Sequence, residues 1–296
     1  IYYDFCKEPG QYIPNCFGGR ENLDGINFLR RLNQTVYHDF PGLMMIAEES
    51  TAFPMVTAPT YLGGLGFGFK WNMGWMNDIL SYIKLDPVYR KYHHNKVTFS
   101  LFYAFSENYI LPFSHDEVVH GKHSMLDKNP GDLWKKFAGL RALYGYTMAH
   151  PGKKLLFMGG EFAHFIEWKY DDQLDWFLLV YERHAPLQSC VRRLNHIYRE
   201  TPALYEVDTS WNGFQWITAN DTDNSVVAFL RTDKRGRAIL CVTNFTPVFH
   251  PIYRIGLPFG GTLREIFNTD RAEYGGSNQY NAYELSAQPG EFNGFP

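Results

Sequence analysis

The chain has 296 residues, 45% of them hydrophobic and 20% charged, with a net charge of -3. That balance supports a sizeable buried core and gives no electrostatic case for nucleic acid or an anionic membrane surface as a partner. No apolar run approaches the length that spans a bilayer and no signal peptide is visible; the four cysteines (Cys6, Cys16, Cys190, Cys241) form neither a C-x-x-C pair nor a zinc-spaced cluster, so free thiols in a reducing compartment are expected.

Residues 1–20 are punctuated by Pro9-Gly10, Pro14-Asn15 and Gly18-Gly19 and read as turns. From Glu21 to Tyr37, Leu23, Ile26, Leu29, Leu32 and Val36 recur at helical spacing and predict a helix. Leu43-Met44-Met45-Ile46-Ala47 is an unbroken apolar run that reads as a strand buried on both faces, and it ends at Glu48-Glu49-Ser50. Gly63 to Asn72 predicts a loop and short strand, Met73 to Tyr82 a helix, Tyr89 to Asn95 a basic and aromatic connection, and Val97 to Glu107 another helix. A second buried strand, Tyr109 to Phe113, ends at Ser114-His115-Asp116-Glu117. Helices are predicted over Asp132 to Met148 and Gln188 to Tyr198, with a third strand, Lys154 to Met158, between them, ending at Gly159-Gly160-Glu161.

Strands alternating with helices argue for βαβ units and a parallel sheet. In a barrel of parallel strands the C-terminal strand ends meet at one face, so the three acidic strand ends are expected to converge on one cleft. From about Leu204 the pattern changes. Short runs at Phe214 to Ile217, Ser225 to Leu230 and Ala238 to Val242, separated by Asn, Asp and Gly turns, read as antiparallel β structure. The boundary falls around Thr201-Pro202.

Glu48 follows a buried strand directly, where partial desolvation and a neighbouring negative charge would raise its pKa and let it act as a general acid. The competing structural reading is that Glu48 or Glu49 caps the next element or pairs with a nearby Lys or Arg. Asp116, with His115 beside it, is suited to stabilise positive charge and to bond a sugar hydroxyl; the alternative is a loop aspartate and a satisfied core histidine. His120 and Lys122 read as structural, and Glu161 as part of a tight turn. Chemistry at an anomeric carbon takes two carboxyl groups, about 5–5.5 Å apart when configuration is retained. The aromatic share is 17%, and the Trp71 to Trp75 rings are equally core or sugar platform. There is no phosphate loop, dinucleotide fingerprint or nucleophilic serine elbow.

Ala47-Glu48-Glu49-Ser50-Thr51 and Ser114-His115-Asp116-Glu117-Val118-Val119-His120-Gly121-Lys122 resemble two segments of the glycogen (1,4-α-glucan) branching enzymes of the α-amylase clan. Glu8 to Asn22, Gly63 to Phe67 with Lys70-Trp71-Asn72, Leu85 to Arg90, Lys153 to Gly159, Leu174-Asp175-Trp176, Asn244 to Pro247 and Asn268-Thr269-Asp270 continue the resemblance along nearly the whole chain. The resemblance implies an α/β fold, the second half of a TIM-type (β/α)8 barrel over residues 1–203, followed by an all-β antiparallel sandwich domain, incomplete, over 204–296. It implies Glu48 as acid/base, Asp116 as transition-state stabiliser and His115 as a contact to the glucose ring. The implied reaction cuts an α-1,4 bond of glycogen or a linear glucan and passes the chain to a 6-hydroxyl. It needs no metal or organic cofactor and takes place in the cytoplasm. An α-glucan hydrolase of the same clan and a non-catalytic glucan-binding protein are the rival readings.

Two departures accompany the resemblance. The family's nucleophilic aspartate belongs to a motif expected just upstream of Ile1, and the nearest string, Asp24-Gly25-Ile26, falls inside a predicted helix. Gly160 and His164-Phe165-Ile166 differ from the polar or basic residues common there. A chain that starts at Ile1 without methionine is thus expected to be a C-terminal piece, and a half barrel with open strand edges is expected to be poorly soluble and inactive alone.

Overall fold

The structure, a computed structural model, describes Tyr3 and residues 10–295, so the Cys6 thiol and the start of the turn-rich, family-like leader at Glu8 lie outside the described residues. Two compact units form, Ile1–Asn72 with Ser106–Ile110, and Met73–Phe105 with Leu111–Pro296.

In the first unit, helix α1 (Leu23–Asp39) starts where the Asn22 side chain accepts a hydrogen bond from the Gly25 amide, leaving Asp24 in the first turn. Its apolar stripe buries Ile26 and Leu29 against Ala47, Val56 and Leu65. On the same stripe Asn33 is buried, and its amide donates to the Leu65 carbonyl at 2.8 Å. Strand β1 (Ile46–Ala47) pairs in parallel with β2 (Phe69–Trp71), and β2 pairs in parallel with the start of β3 (Tyr109–Phe113). The strand expected over Leu43 to Ala47 is therefore shorter than its apolar run. It is also not buried on both faces, since Leu43 and Met44 are 56% and 59% exposed. Among the described residues β1 pairs with β2 alone, and a run of apolar residues is covered on both sides only where elements pack on both sides.

The second unit contains α2 (Met73–Ile83), the single-turn helices α3 (Pro87–Arg90) and α4 (Asn95–Thr98), the end of β3, α5 (Leu133–Ala149), β4 (Lys153–Leu156) and α6 (His184–Glu200). The helix expected over Val97 to Glu107 does not form. A 3-10 turn, Phe99–Phe102, replaces it, because this β-branched, aromatic and serine-rich stretch has little helix propensity. In the first unit the Glu107 carboxylate instead accepts the Val56 and Thr57 amides, at 2.8 and 2.7 Å.

Beyond Leu204 the unit becomes all antiparallel. Strands β5 (Phe214–Asp221), β6 (Val226–Thr232) and β7 (Ala238–Asn244) make one sheet with β6 central and buried, and β8 (Thr262–Leu263) pairs with β9 (Leu285–Ser286). One core joins α2, β3, α5 and α6 to β6 through Trp75, Tyr82, Phe113, Tyr146, Leu187 and Phe229. Three buried arginines tie the helices to the chain beyond Leu204 by donating to backbone carbonyls: Arg90 to Phe245, Arg141 to Thr269 and Arg231 to Ala149. Five charge-assisted donors in a planar fork suit arginine to this task.

Candidate active site

β3 ends at Phe113 in a 3-10 turn, His115–Val118, and the sequence encodes that stop locally. Ser114 is the N-cap; its hydroxyl accepts the Asp116 amide at 3.3 Å, while the Glu117 carboxylate takes the Ser114 amide and hydroxyl at 2.6 and 2.7 Å. This reciprocal capping box closes around the two candidate residues between its ends. Asp116 is left with a side chain 49% exposed, and His115 Nε2 lies 3.3 Å from Asp116 Oδ1. The His115 ring sits 6.0 Å from Phe157 and edge-on to Trp168 at 6.3 Å. Phe157 and Trp168 in turn meet edge to face at 4.9 Å and line a hollow with Phe113, Val118, Leu156 and His164. Asp116 and His115 are thus together and partly solvent-facing, His115 is flanked by the two rings, and among the described residues neither pairs with Lys or Arg.

Glu48 lies in the first unit, on the residue after β1, and its side chain is exposed, so the partial burial expected of it is not present there. The pairing weighed for Glu48 or Glu49 belongs to Glu49, whose carboxylate makes a buried ion pair with Lys70 of β2. Lys70 also donates to the Thr51 carbonyl at 2.9 Å. Glu48 is therefore held between Ala47, registered opposite Lys70, and Glu49, bonded to that same lysine. Among the described residues the Glu48 carboxylate takes part in no ion pair or hydrogen bond of this kind. Trp75 is core in the second unit and Trp71 is half-buried in β2.

The third acidic strand end behaves as a turn residue, as read from the sequence: Glu161 Oε2 accepts the Gly159 amide at 2.8 Å, and Gly159 takes a φ of 88°. His164 is also a scaffold group, accepting the Asp175 amide at Nε2 (3.1 Å) and donating from Nδ1 to the Ile166 carbonyl (2.9 Å). No group of His, Cys, Asp and Glu that would hold a metal ion occurs among the described residues.

Three contributors carried no sequence signal for a role. Lys128 donates to three backbone carbonyls of the loop after Asp116, Glu167 accepts two amides of the same loop, and Trp168 supplies the ring beside His115. Burial lowers the pKa of Lys128 to about 8.

Residues 216–296 match the alpha amylase C-terminal all-beta domain. In three dimensions the chain is similar to a mutant pullulanase from Paenibacillus barengoltzii crystallised with maltotetraose, with a TM-score of 0.57, 15% identity, and coverage of 81% of this chain and 40% of that one. It is also similar to an alpha-amylase from H. orenii, with a TM-score of 0.50, 16% identity, and coverage of 76% and 48%. The chain accordingly has an α-amylase-type fold, part of a parallel α/β barrel followed by an all-β antiparallel domain.

Sequence comparison narrows this class. The chain is 58% identical to the 1,4-alpha-glucan branching enzyme GlgB of Aquifex aeolicus over 95% of this chain and 44% of that protein. It is 54% identical to the GlgB proteins of Aromatoleum aromaticum and Halothermothrix orenii, each over 98% of this chain and 45% and 46% of the relative. The chain is a homologue of the 1,4-alpha-glucan branching enzymes over nearly its whole length, and it spans about half the length of the curated relatives it matches.

Proposed function

We propose that the chain is the C-terminal part of a 1,4-α-glucan branching enzyme, residues 1–203 completing a catalytic barrel and 204–296 forming its β-sandwich domain. The enzyme transfers a segment of α-1,4-glucan to a 6-hydroxyl with retention of configuration. Glu48 protonates the glycosidic oxygen as the C1–O bond breaks, and a carboxylate in the half of the relatives that this chain does not span attacks C1. Asp116 stabilises the positive charge that develops on the ring, and His115 bonds a hydroxyl of the same glucose. In the second step Glu48 takes the proton from the acceptor 6-hydroxyl as that oxygen displaces the enzyme carboxylate. Nothing in this sequence of bonds calls for a metal or organic cofactor. The partner is glycogen or linear glucan, in the cytoplasm; nucleic acid and membrane have no part in it.

The observation that carries the reading is the capped turn at the end of β3, which leaves Asp116 partly exposed beside His115, with the His115 ring against Phe157 and Trp168. Together with 58% identity to a named branching enzyme, it favours transfer over the rival readings. Incubation of the full-length protein with amylose, followed by a debranching enzyme, is expected to release new short chains. Reducing sugar released before debranching would point to a hydrolase, and binding without turnover to a glucan-binding protein; either result refutes the proposal. The 296-residue chain alone is expected to produce no branches.

A further inference from the structure

Lys128 is 5% exposed, and its Nζ donates to the carbonyls of Glu117, Lys122 and His123 at 2.5, 2.6 and 2.6 Å. An ammonium has three donors, and all three are spent on one loop. That loop needs holding, because His120, Gly121 and His123 have φ values of 53°, 79° and 67°. Left-handed backbone at two non-glycine residues persists only where the surroundings over-determine it. On its outer side Glu167 accepts the Gly121 and His123 amides at 3.0 and 2.7 Å, and the Trp168 amide donates to the Val118 carbonyl at 2.9 Å. The loop is therefore folded around a buried cation and clasped from outside by an anion.

The first of the three bonds links this loop to the candidate site. It grips Glu117, the residue whose carboxylate closes the capping box on Ser114, with His115 and Asp116 enclosed between them. We propose that Lys128 is a positioning residue whose ammonium fixes the loop after Asp116 and, through Glu117 and Ser114, the orientation of Asp116 and His115. The proposal rests on the reading of Asp116 as the charge-stabilising group and adds to it the residue that keeps it aimed.

The groups around Lys128 also make the device titrate. Burial lowers its pKa to about 8; Lys84 and Lys122 push the same way, and Glu117 and Glu167 oppose them. The adjoining Asp127 is taken up by Lys136 and His123. A neutral amine has only two hydrogens to donate, so deprotonation releases one of the three carbonyls.

In the full-length protein, Lys128→Met is expected to lower kcat on amylose about 100-fold with KM little changed, as for a small misplacement of a reacting group. It is also expected to speed amide exchange at Gly121 and His123 without touching exchange in α5 or β6. In the wild type, kcat is expected to fall as pH rises through about 8, with exchange at those two amides, corrected for its intrinsic pH dependence, stepping up over the same range. A folded methionine variant with wild-type kcat, or with unchanged exchange at Gly121 and His123, overturns the proposal. If that variant does not fold, the wild-type titration decides: a flat kcat and no exchange step up to about pH 10 overturn it too. A wild-type protein inactive on amylose refutes the branching reading instead, and exchange at Gly121 and His123 then remains the test of Lys128.

Discussion

His150, at the junction of α5 and β4, is 1% exposed and provides a pH test of the second unit. Its Nδ1 lies 2.8 Å from the Pro151 carbonyl and its Nε2 3.0 Å from the Ser100 hydroxyl. A carbonyl only accepts, so Nδ1 carries the hydrogen and Nε2 accepts from Ser100, and the neutral ring is satisfied at both nitrogens. Burial lowers its pKa from 6.5 to about 3; the backbone bond to Pro151 and the charge of Asp208 oppose the shift, while Lys154 and Arg231 add to it. The unfolded chain therefore takes up a proton near the ordinary value, and the folded chain only near 3. The contribution of neutral His150 is complete above the unfolded pKa and is lost as pH falls toward the folded one. The loss is about 1.4 kcal/mol per pH unit, or roughly 5 kcal/mol over the whole window.

His150→Gln keeps a donor and an acceptor and removes the titration. Urea unfolding of the two proteins at matched pH values between about 7 and 4.5 is expected to show a gap that closes by about 1.4 kcal/mol per unit below the unfolded pKa. All other titrations cancel in the comparison. Stability curves that run parallel through this range would refute the assignment of a buried neutral imidazole.

Three further outcomes are expected. Arg231→Met leaves Asp208 with Lys153 as its remaining hydrogen-bonded cation and strands the Gly213 and Ala149 carbonyls, and is expected to cost about 3–5 kcal/mol in thermal unfolding; Arg231→Met with Asp208→Leu should recover a good part of it, and a single variant within about 1 kcal/mol of wild type refutes this. Lys70→Met uncovers the buried Glu49 carboxylate and is expected to destabilise by a similar amount, with Glu49→Gln restoring stability in the double variant, whereas Glu48→Gln on its own should leave the melting temperature unchanged. In the full-length protein Glu48→Gln and Asp116→Asn are each expected to lower branching by at least about 100-fold while glucan binding persists, measured by chain-length analysis and by affinity electrophoresis in glycogen.

Much of this was legible in the chain itself. The 3.6-residue spacing of Leu23, Ile26, Leu29 and Leu32 placed α1, and the apolar run Tyr109 to Phe113 coincides with β3, because both patterns record local geometry. Ser114 and Glu117 stand at capping-box spacing, so the turn that holds Asp116 is likewise a local device. The run Leu43 to Ala47 misled as to burial, since apolar residues state a preference and not the presence of a partner. The stretch after Val97 does not form the expected helix, since its β-branched, aromatic and serine residues have little helix propensity.

The sequence by itself determined where α1 and β3 lie and which carboxylates stand at strand ends, because these depend on neighbours a few residues apart. Only the tertiary structure decided that Glu49, and not Glu48, is consumed by Lys70, that Lys128 is the cation inside the loop after Asp116, and that Glu167, 46 residues from Gly121, clasps that loop from outside. A buried charge is tolerated only where distant parts of the chain bring it matching donors or acceptors. That matching is set by how the backbone crosses itself, which no spacing along the chain records.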